Sequence, residues 1–148
     1  MMLKTTINTA MKEAMRAKDK ARLGAIRMIL SEIKRLEVDT RTEINDSQIV
    51  AILDKMQKQR RDSIAQFEQA QRHDLAHIEQ AELAVIAEFL PTPLTPDEIA
   101  ALIRQTITEQ GAQSMADMGQ VMAALKPKVQ GRADMAAISQ LIKTQLNG

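Results

Sequence analysis

Three basic side chains, Lys126, Lys128 and Arg132, stand close together in the second half of the chain. No acidic residue occurs between Asp117 and Asp134, so no carboxylate within that stretch offsets the three charges. Clustered cations of this kind attract phosphate groups, even in a protein with little net charge. The first candidate site is therefore one that binds an anion.

The surrounding sequence predicts that these cations lie on a connection between two short helices. Ser114 is the expected cap of the first helix, which should end near Lys126 because Pro127 lacks an N–H and its ring clashes with the preceding turn. Gly131 supplies a position with positive φ, and the last helix should open at Asp134, with its N–H donors beside the basic connection. These features suit a phosphate-bearing partner. The alternative is an ordinary loop whose lysines keep the protein soluble.

A second group of cations lies on the predicted third helix, which should run from Asp46 to about Gln69. At about 100° per residue, the apolar stripe of this helix consists of Ile49, Leu53, Met56, Ile64 and Phe67. Lys55, Lys58 and Arg61 point away from that stripe, and Lys58 is nearly opposite to it. These three cations form either a further anion-binding surface or an ordinary solvated face.

Arg60 differs from its neighbours because the same helical phase places it on the apolar stripe. An arginine among aliphatic side chains needs a carboxylate or several carbonyl groups as partners. Glu79 and Glu82, on the next predicted helix, are the obvious candidates. A buried structural ion pair is therefore favoured over a binding role for Arg60.

The sequence contains little that could perform catalysis. It has no cysteine, which excludes thiolate nucleophiles, disulfides and cysteine metal sites. It has no glycine-rich phosphate loop, and no base in a recognisable motif accompanies any serine: Ser31, Ser47, Ser63, Ser114 and Ser139. His73 and His77 have a spacing that can place two imidazoles on one metal, with Asp74 or Glu79 as a third ligand, but the HExxH order is absent. We predict no catalytic residue, no metal and no cofactor.

Apolar periodicity predicts seven helices and no strand, so the expected fold class is all-α. Pro91 and Pro93 should end the fourth helix and stiffen the link that follows. Thr95, Pro96 and Glu98 then form a strong helix start, with a cap, a proline at the first helical position and a glutamate three residues after the cap. The expected organisation is an N-terminal helical domain of about four helices at 1–90, a proline linker at 91–94 and a three-helix domain at 95–148.

The cores must be built from aliphatic side chains and from the ten methionines, because Phe67 and Phe89 are the only aromatic residues. Gly119 lies inside a predicted helix, where glycine costs about 1 kcal/mol relative to alanine. That cost indicates close helix contact, or the close approach of a ligand, on its side of the helix.

The formal net charge is +1, so any attraction to nucleic acid must be local. No apolar run approaches the roughly 20 residues that cross a bilayer. The N-terminal stretch MMLKTTINTAMKEAM mixes charged and apolar residues too closely for a signal peptide. We therefore expect a cytoplasmic protein with no membrane partner.

Four stretches carry a resemblance to a known family: LGAIRMILSEIK (23–34), KMQKQRRDSI (55–64), AELAVIAEFLP (81–91) and DMGQVM…GRAD (117–134). Over essentially its whole length the chain resembles the YqeY-like proteins, also called the GatB/YqeY family. The last stretch is the most specific. It looks like the C-terminal tail of the B subunit of the tRNA-dependent amidotransferase, which converts Glu-tRNA or Asp-tRNA to the amide form. Family members commonly have glycine after GRAD, where this chain has Met135.

The resemblance implies a tRNA-binding accessory module, because the tail domain of that subunit holds the tRNA body while its active sites lie elsewhere. The resemblance also implies the activity name of the family, a carbon–nitrogen ligase with glutamine as amido-N donor. No catalysis by this chain alone is expected. A tRNA-processing, amidotransferase or synthetase protein would be a further partner. With so few aromatic side chains, contacts would be made to phosphates, 2′-hydroxyls and overall shape. The implied RNA-binding residues are Lys126, Lys128, Gly131, Arg132, Gly119, Lys55, Lys58 and Arg61.

The alternative function is a helical protein–protein adaptor that binds no nucleic acid. A basic surface joining the 126–132 loop to the cations of the third helix would favour the tRNA-binding module. An exposed patch of methionine and isoleucine on the small domain would favour the adaptor.

Overall fold

The computed structural model describes residues 2–147. Within them the chain forms seven α-helices and one 3₁₀ turn, and it forms no strand. The all-α prediction is confirmed. The helices are α1 (Leu3–Ala17), α2 (Lys20–Thr40), α3 (Asp46–Gln69), α4 (His73–Glu88), α5 (Pro96–Gln110), α6 (Met118–Val129) and α7 (Met135–Asn147), with the 3₁₀ turn at Met115–Asp117.

The chain divides into two compact units, Met1–Leu90 and Pro91–Gly148. Unit 1 contains α1 to α4 and unit 2 contains α5 to α7. The segment at 91–94, expected as a linker, belongs to unit 2, where the Leu94 N–H donates to the Arg132 carbonyl over 2.9 Å. None of the helices within residues 2–147 has the length and apolar content needed to cross a bilayer.

The core of unit 1 is aliphatic, as the shortage of aromatic residues requires. Apolar residues recur at helical spacing along each of its four helices, so each helix turns one stripe toward the others. Burial of each large aliphatic side chain contributes about 1.5–3 kcal/mol. The largest side chains that are fully buried in this unit are Ile7, Ile26, Ile29, Ile33, Ile49, Leu53 and Ile86.

The core of unit 2 brings together stripes from its three helices. Thr95 and Glu98 form the expected capping box at the start of α5, where each side chain satisfies a backbone N–H of the other residue. Gly111 ends α5 in the left-handed conformation, with φ +63°. The fully buried apolar residues of this unit are Ile103, Val121, Leu125, Val129, Ile138 and Ile142.

The connection between α2 and α3 is set by helix caps. Polar residues after Glu37 do not end α2 at once: the helix continues to Thr40, and Arg41 closes it with φ +55°. The third helix begins at Asp46 as predicted, and Asn45 caps it in a capping box. The Asp46 carboxylate instead accepts from the Leu3 N–H at 2.9 Å, so it caps the start of α1. A helix cap supplied by a residue distant in sequence has no local signal.

Pro127 does not end α6, contrary to the prediction. The helix continues through it to Val129, with Pro127 in its last turn. A proline in that position removes one helical hydrogen bond, but only two helical residues follow it. Leu125 and Val129 are both buried in the core of unit 2 and hold this turn in place. Packing therefore outweighs the local preference of the proline.

A pH-dependent ion pair ties α1 to the end of α2. The Lys4 ammonium lies 3.0 Å from one Glu37 carboxylate oxygen, and the Ile44 N–H donates to the other over 3.3 Å. The hydrogen bond from Lys4, and then the Ile44 N–H, lower the pKa of Glu37 despite partial burial, which acts in the opposite direction. A lowered folded-state pKa contributes stability above the unfolded pKa, and that stability is lost as pH falls through the folded value.

We therefore expect Glu37→Gln to lower the free energy of unfolding at about pH 7. The substitution should change it much less in acid, because the wild-type Glu37 side chain is then protonated and, like glutamine, carries no charge. Urea titrations followed by circular dichroism at neutral and acidic pH measure this difference. Glu13→Gln, at an exposed position of α1 with no ion pair within the described residues, is the control. An equal loss of stability at both pH values for Glu37→Gln would contradict the assignment.

Candidate nucleic-acid interface

The basic cluster of unit 2 lies at the end of α6 and on the connection to α7. Lys126 and Lys128 are both exposed in the last turn of α6, where cations also interact favourably with the helix dipole. The Lys128 ammonium lies 3.8 Å from a Glu109 carboxylate oxygen, and both side chains are substantially exposed. An exposed pair of that length contributes little to stability. Both lysines are therefore accessible to an anion.

Arg132 is placed differently from the lysines, because it binds the chain of its own unit. Its Nε–H donates to the Thr92 carbonyl over 2.9 Å, and its own carbonyl accepts from the Leu94 N–H over 2.9 Å. These two hydrogen bonds fasten the 91–94 segment to the α6–α7 connection. Arg132 also lies close enough to lower the pKa of Glu98 by its charge, after the larger effects of the Thr95 N–H and side chain. The geometry gives Arg132 a structural role in unit 2.

Gly131 and Asp134 shape the connection between Arg132 and α7. Gly131 has φ +75°, as expected, but it is buried rather than presented to a ligand. Asp134 opens α7 as predicted: its carboxylate accepts from the Ala136 N–H over 3.1 Å, and its carbonyl accepts from the Ile138 N–H over 3.1 Å. The carboxylate thus already accepts from the Ala136 N–H, a donor that an incoming phosphate would use. Its negative charge also repels an anion from the start of α7.

Gly119 is the second residue of α6, and it is exposed. A Cβ atom built at this position has no neighbouring atom within 4 Å. The close helix contact that the sequence suggested is therefore wrong. The approach of a ligand to this glycine stays a prediction.

The cations on α3 in unit 1 point outward, as the helical phase predicts. Lys55, Lys58 and Arg61 are all exposed. Lys55 borders a groove between α2 and α3, whereas Lys58 and Arg61 do not line it. The three side chains therefore face different surroundings, although they share one helix.

Arg60 lies among apolar residues of α3, and its side chain is 13% exposed. Its Nε atom is 2.8 Å from Glu82 Oε2 and 3.2 Å from Glu79 Oε2. The single Nε–H donates to Glu82, so the buried Glu79 Oε2 receives no hydrogen bond within the described residues. One guanidinium thus lies between two partly buried carboxylates, and its Nε–H donates a hydrogen bond to Glu82 only.

The two histidines are exposed near the start of α4. The Asp74 side chain forms an ion pair with Arg72, whose Nη2 lies 3.1 Å from an Asp74 carboxylate oxygen. In the described part of the chain, no three histidine, aspartate or glutamate side chains are grouped so that they could hold a metal ion.

Comparison with curated proteins finds fungal relatives named "Altered inheritance of mitochondria protein 41, mitochondrial". The relative from Clavispora lusitaniae is 37% identical over 97 residues, which cover 65% of this chain and 56% of that protein. The one from Pyrenophora tritici-repentis is 32% identical over 139 residues, which cover 90% of this chain and 75% of that protein. The one from Vanderwaltozyma polyspora is 34% identical over 102 residues, 67% of this chain and 55% of that protein. This chain thus spans between about half and three quarters of the length of these relatives.

The names of these relatives contradict the predicted cytoplasmic localisation, because they are called mitochondrial proteins. That prediction came from the mixed N-terminal stretch and the absence of a long apolar run. Neither feature distinguishes the cytoplasm from the interior of an organelle. The localisation prediction is therefore wrong on this comparison.

The family resemblance in the sequence is confirmed by a match to a family model. The model described as "Yqey-like protein" matches residues 4–146, which reach from the second residue of α1 to the last but one residue of α7. The matched region therefore includes nearly all of both compact units. The chain belongs to the YqeY-like protein family.

Proposed function

We propose that this chain is a tRNA-binding accessory module that contacts the RNA backbone through unit 2. The observation that carries the proposal is the exposed pair Lys126 and Lys128 in the last turn of α6. Two accessible ammonium groups on one turn can each neutralise a phosphate. The resemblance of the 117–134 stretch to the tail of the tRNA-dependent amidotransferase B subunit supports tRNA as the nucleic acid.

The proposed contacts are narrower than the residue set drawn from the sequence. Arg132 and Gly131 serve the structure of the connection, and Asp134 places a negative charge at the start of α7. Phosphate binding in unit 2 therefore rests on the two lysines, and exposed Gly119 gives room for a backbone to approach the start of α6. Lys58 and Arg61 of unit 1 are proposed as supplementary contacts.

Recognition is proposed to depend on charge and shape and to be independent of base identity. The chain has two phenylalanines and no tryptophan or tyrosine. Phe89 is buried and Phe67 is half-buried, so neither offers an open face on which a base could stack. Phosphates and 2′-hydroxyls are the groups left for lysine side chains to bind.

The test is a measurement of bulk tRNA binding across a salt series. We expect the double variant Lys126→Gln/Lys128→Gln to bind more weakly and to reduce the slope of log affinity against log salt by about one to two units. Arg132 is left intact because its loss would disturb the 91–94 segment. The matched control is Arg104→Gln/Lys143→Gln, which removes two cations elsewhere in unit 2 and should leave the slope close to that of the wild type.

Wild-type protein that shows no salt-dependent tRNA binding at low ionic strength would overturn the proposal. The second candidate, a helical protein–protein adaptor, would then replace it. Two apolar side chains exposed in unit 2, Met115 and Leu141, favour that candidate. Equal slopes for the Lys126/Lys128 variant and the wild type would show that RNA binds elsewhere on the chain.

A further inference from the structure

An open groove in unit 1 lies between α2 and α3 and has a volume of about 600 Å³. Along α2 it extends from Arg27 to Asp39, a length of about 18 Å at the rise of an α-helix. Along α3 it extends from Ile52 to Arg60. A groove of this length, bordered by two helices, has the dimensions to receive about three turns of a further helix.

Apolar side chains form the floor of this groove. Met28 and Leu36 come from α2, and Ile52 and Met56 come from α3. Met28 is 40% exposed, although it is a large apolar residue. Methionine fills irregular gaps and adapts to different partners, so this floor is well suited to apolar side chains from another protein.

Basic side chains predominate along the rims. The cations that line the groove are Arg27, Arg35, Lys55 and Arg60, and the acids are Glu32 and Asp39. Arg35 is paired with Glu32, and Arg60 is paired with Glu79 and Glu82 outside the groove. Arg27 and Lys55, on opposite rims, are exposed and form no ion pair within the described residues. An anionic partner would therefore find two cations facing it across the apolar floor.

Arg60 adds hydrogen-bond donors at the end of the groove near Arg27. Its Nε–H donates to Glu82, while its Nη2 donates to the Met28 sulfur over 3.8 Å. A thioether is a weak acceptor, and the guanidinium is a rigid fork that matches a carboxylate. Because Glu79 and Glu82 already offset the charge of Arg60, the attraction for a carboxylate at this end comes from Arg27.

We propose that the α2–α3 groove is the docking site for an acidic amphipathic helix of a partner protein. Apolar residues of that helix, spaced three and four apart, fill the floor, and carboxylates on its flanks meet Arg27 and Lys55. RNA suits the groove less well, because a methionine and leucine floor offers nothing to phosphates and has no aromatic platform. The inference concerns a surface of unit 1 and does not depend on RNA binding by unit 2.

Asp39 indicates the direction in which the helix lies. Along α2 the lining of the groove begins at Arg27 and ends at Asp39, so the two residues stand at opposite ends of the groove. Arg60 of α3 lies at the Arg27 end, where its Nη2 is 3.8 Å from the Met28 sulfur. The positive N-terminus of the docked helix is favoured beside Asp39, and its negative C-terminus beside Arg27.

The probe for this proposal is a displayed library of helical peptides of about 14 residues, long enough to span the groove. Leucines are fixed on one face, and the flanking positions vary among glutamate, glutamine, lysine and alanine. Selection on the full-length protein should enrich glutamate at the flanks. Binding of the selected peptides is then mapped by NMR of ¹³C-labelled methionine methyl groups, where Met28 and Met56 should shift while Met115 of unit 2 should not.

A charge reversal tests the electrostatic part. We expect Arg27→Glu/Lys55→Glu to weaken binding of a glutamate-flanked peptide by about tenfold or more, and a lysine-flanked version of the same peptide to recover it. The matched control is Lys34→Glu/Lys58→Glu, which reverses one exposed cation on each of the same helices outside the groove. That control should change the affinity by no more than about threefold.

Three results would overturn the proposal. The first is a selection that yields no peptide whose binding shifts Met28 and Met56. The second is equal weakening by the groove variant and the control, which would show a non-specific charge effect. The third is a shift of the Met28 and Met56 methyl groups on addition of tRNA, which would make the groove part of an RNA surface.

Discussion

Replacing Arg60 by alanine is expected to lower the free energy of unfolding of the unit 1 helices by about 3 kcal/mol, the range for breaking a buried pair by removing one partner. The Arg60 side chain is 13% exposed, and Glu79 and Glu82 are 24% and 23% exposed. Without the guanidinium, two carboxylates would face each other with no cation between them. Urea unfolding followed by circular dichroism measures the loss, since the chain has no tryptophan.

The two glutamates are expected to respond differently to neutralisation. Glu82 accepts the Nε–H of Arg60 at 2.8 Å, whereas Glu79 Oε2 is buried with no donor in the described structure. Glu82→Gln therefore weakens a charge-assisted hydrogen bond, while Glu79→Gln relieves an unsatisfied buried anion. We expect the first substitution to destabilise unit 1 and the second to be nearly neutral or stabilising.

Lys58→Ala is the matched control for the Arg60 substitution. It removes a cation from the same helix, but its side chain is exposed on the outer face of α3. Its effect on stability should stay within about 0.5 kcal/mol. Losses of similar size from Arg60→Ala and Lys58→Ala would contradict the account of Arg60 as the partner of two partly buried carboxylates.

The position of Arg60 could be predicted because a helix has a fixed period. Once the apolar residues of α3 set its phase, the residue types alone placed Arg60 inside and Lys58 outside. The same argument predicted the number and class of the elements. Capping chemistry is equally local, so the start of α5 at Thr95 followed from a cap, a proline and a glutamate in sequence.

Features that depend on contacts between distant residues could not be predicted in this way. Asp46 caps α1 across more than forty positions of sequence, and Arg132 binds the carbonyl of Thr92 across forty. Pro127 remains within a helix because buried neighbours hold the turn. In each case the residue type suggests a local role, but the tertiary partner decides what that residue does.

The groove between α2 and α3 shows the same limit for function. The helical period of α2 places Arg27 at the edge of its apolar stripe, where its stem packs and its head reaches outward. The spacing of α2 from α3, which leaves Met28 exposed, is a property of the packed unit. A helical period predicts which face a residue occupies, but it does not predict which faces remain open.

The glycines of unit 2 give the second large stability effect, because two of them should respond to substitution with opposite sign. Gly131 is buried with φ +75°, a conformation that is a genuine outlier for a β-branched residue. We expect Gly131→Ala to destabilise unit 2 by about 1–2 kcal/mol, the cost of the left-handed region for a residue with a Cβ. Gly131→Val should cost about 3 kcal/mol, because overpacking of a buried site adds to that strain.

Gly119→Ala is the matched substitution in the same unit, and it is expected to stabilise α6 by up to about 1 kcal/mol. Gly119 is helical and exposed, and a Cβ there meets no atom within 4 Å. Unfolding by urea compares the two positions, and the tRNA salt series adds a functional measurement. If a ligand approaches the start of α6, Gly119→Ala should weaken tRNA binding while it raises stability. Destabilisation by Gly119→Ala, or a neutral Gly131→Val, would contradict the backbone geometry on which both expectations depend.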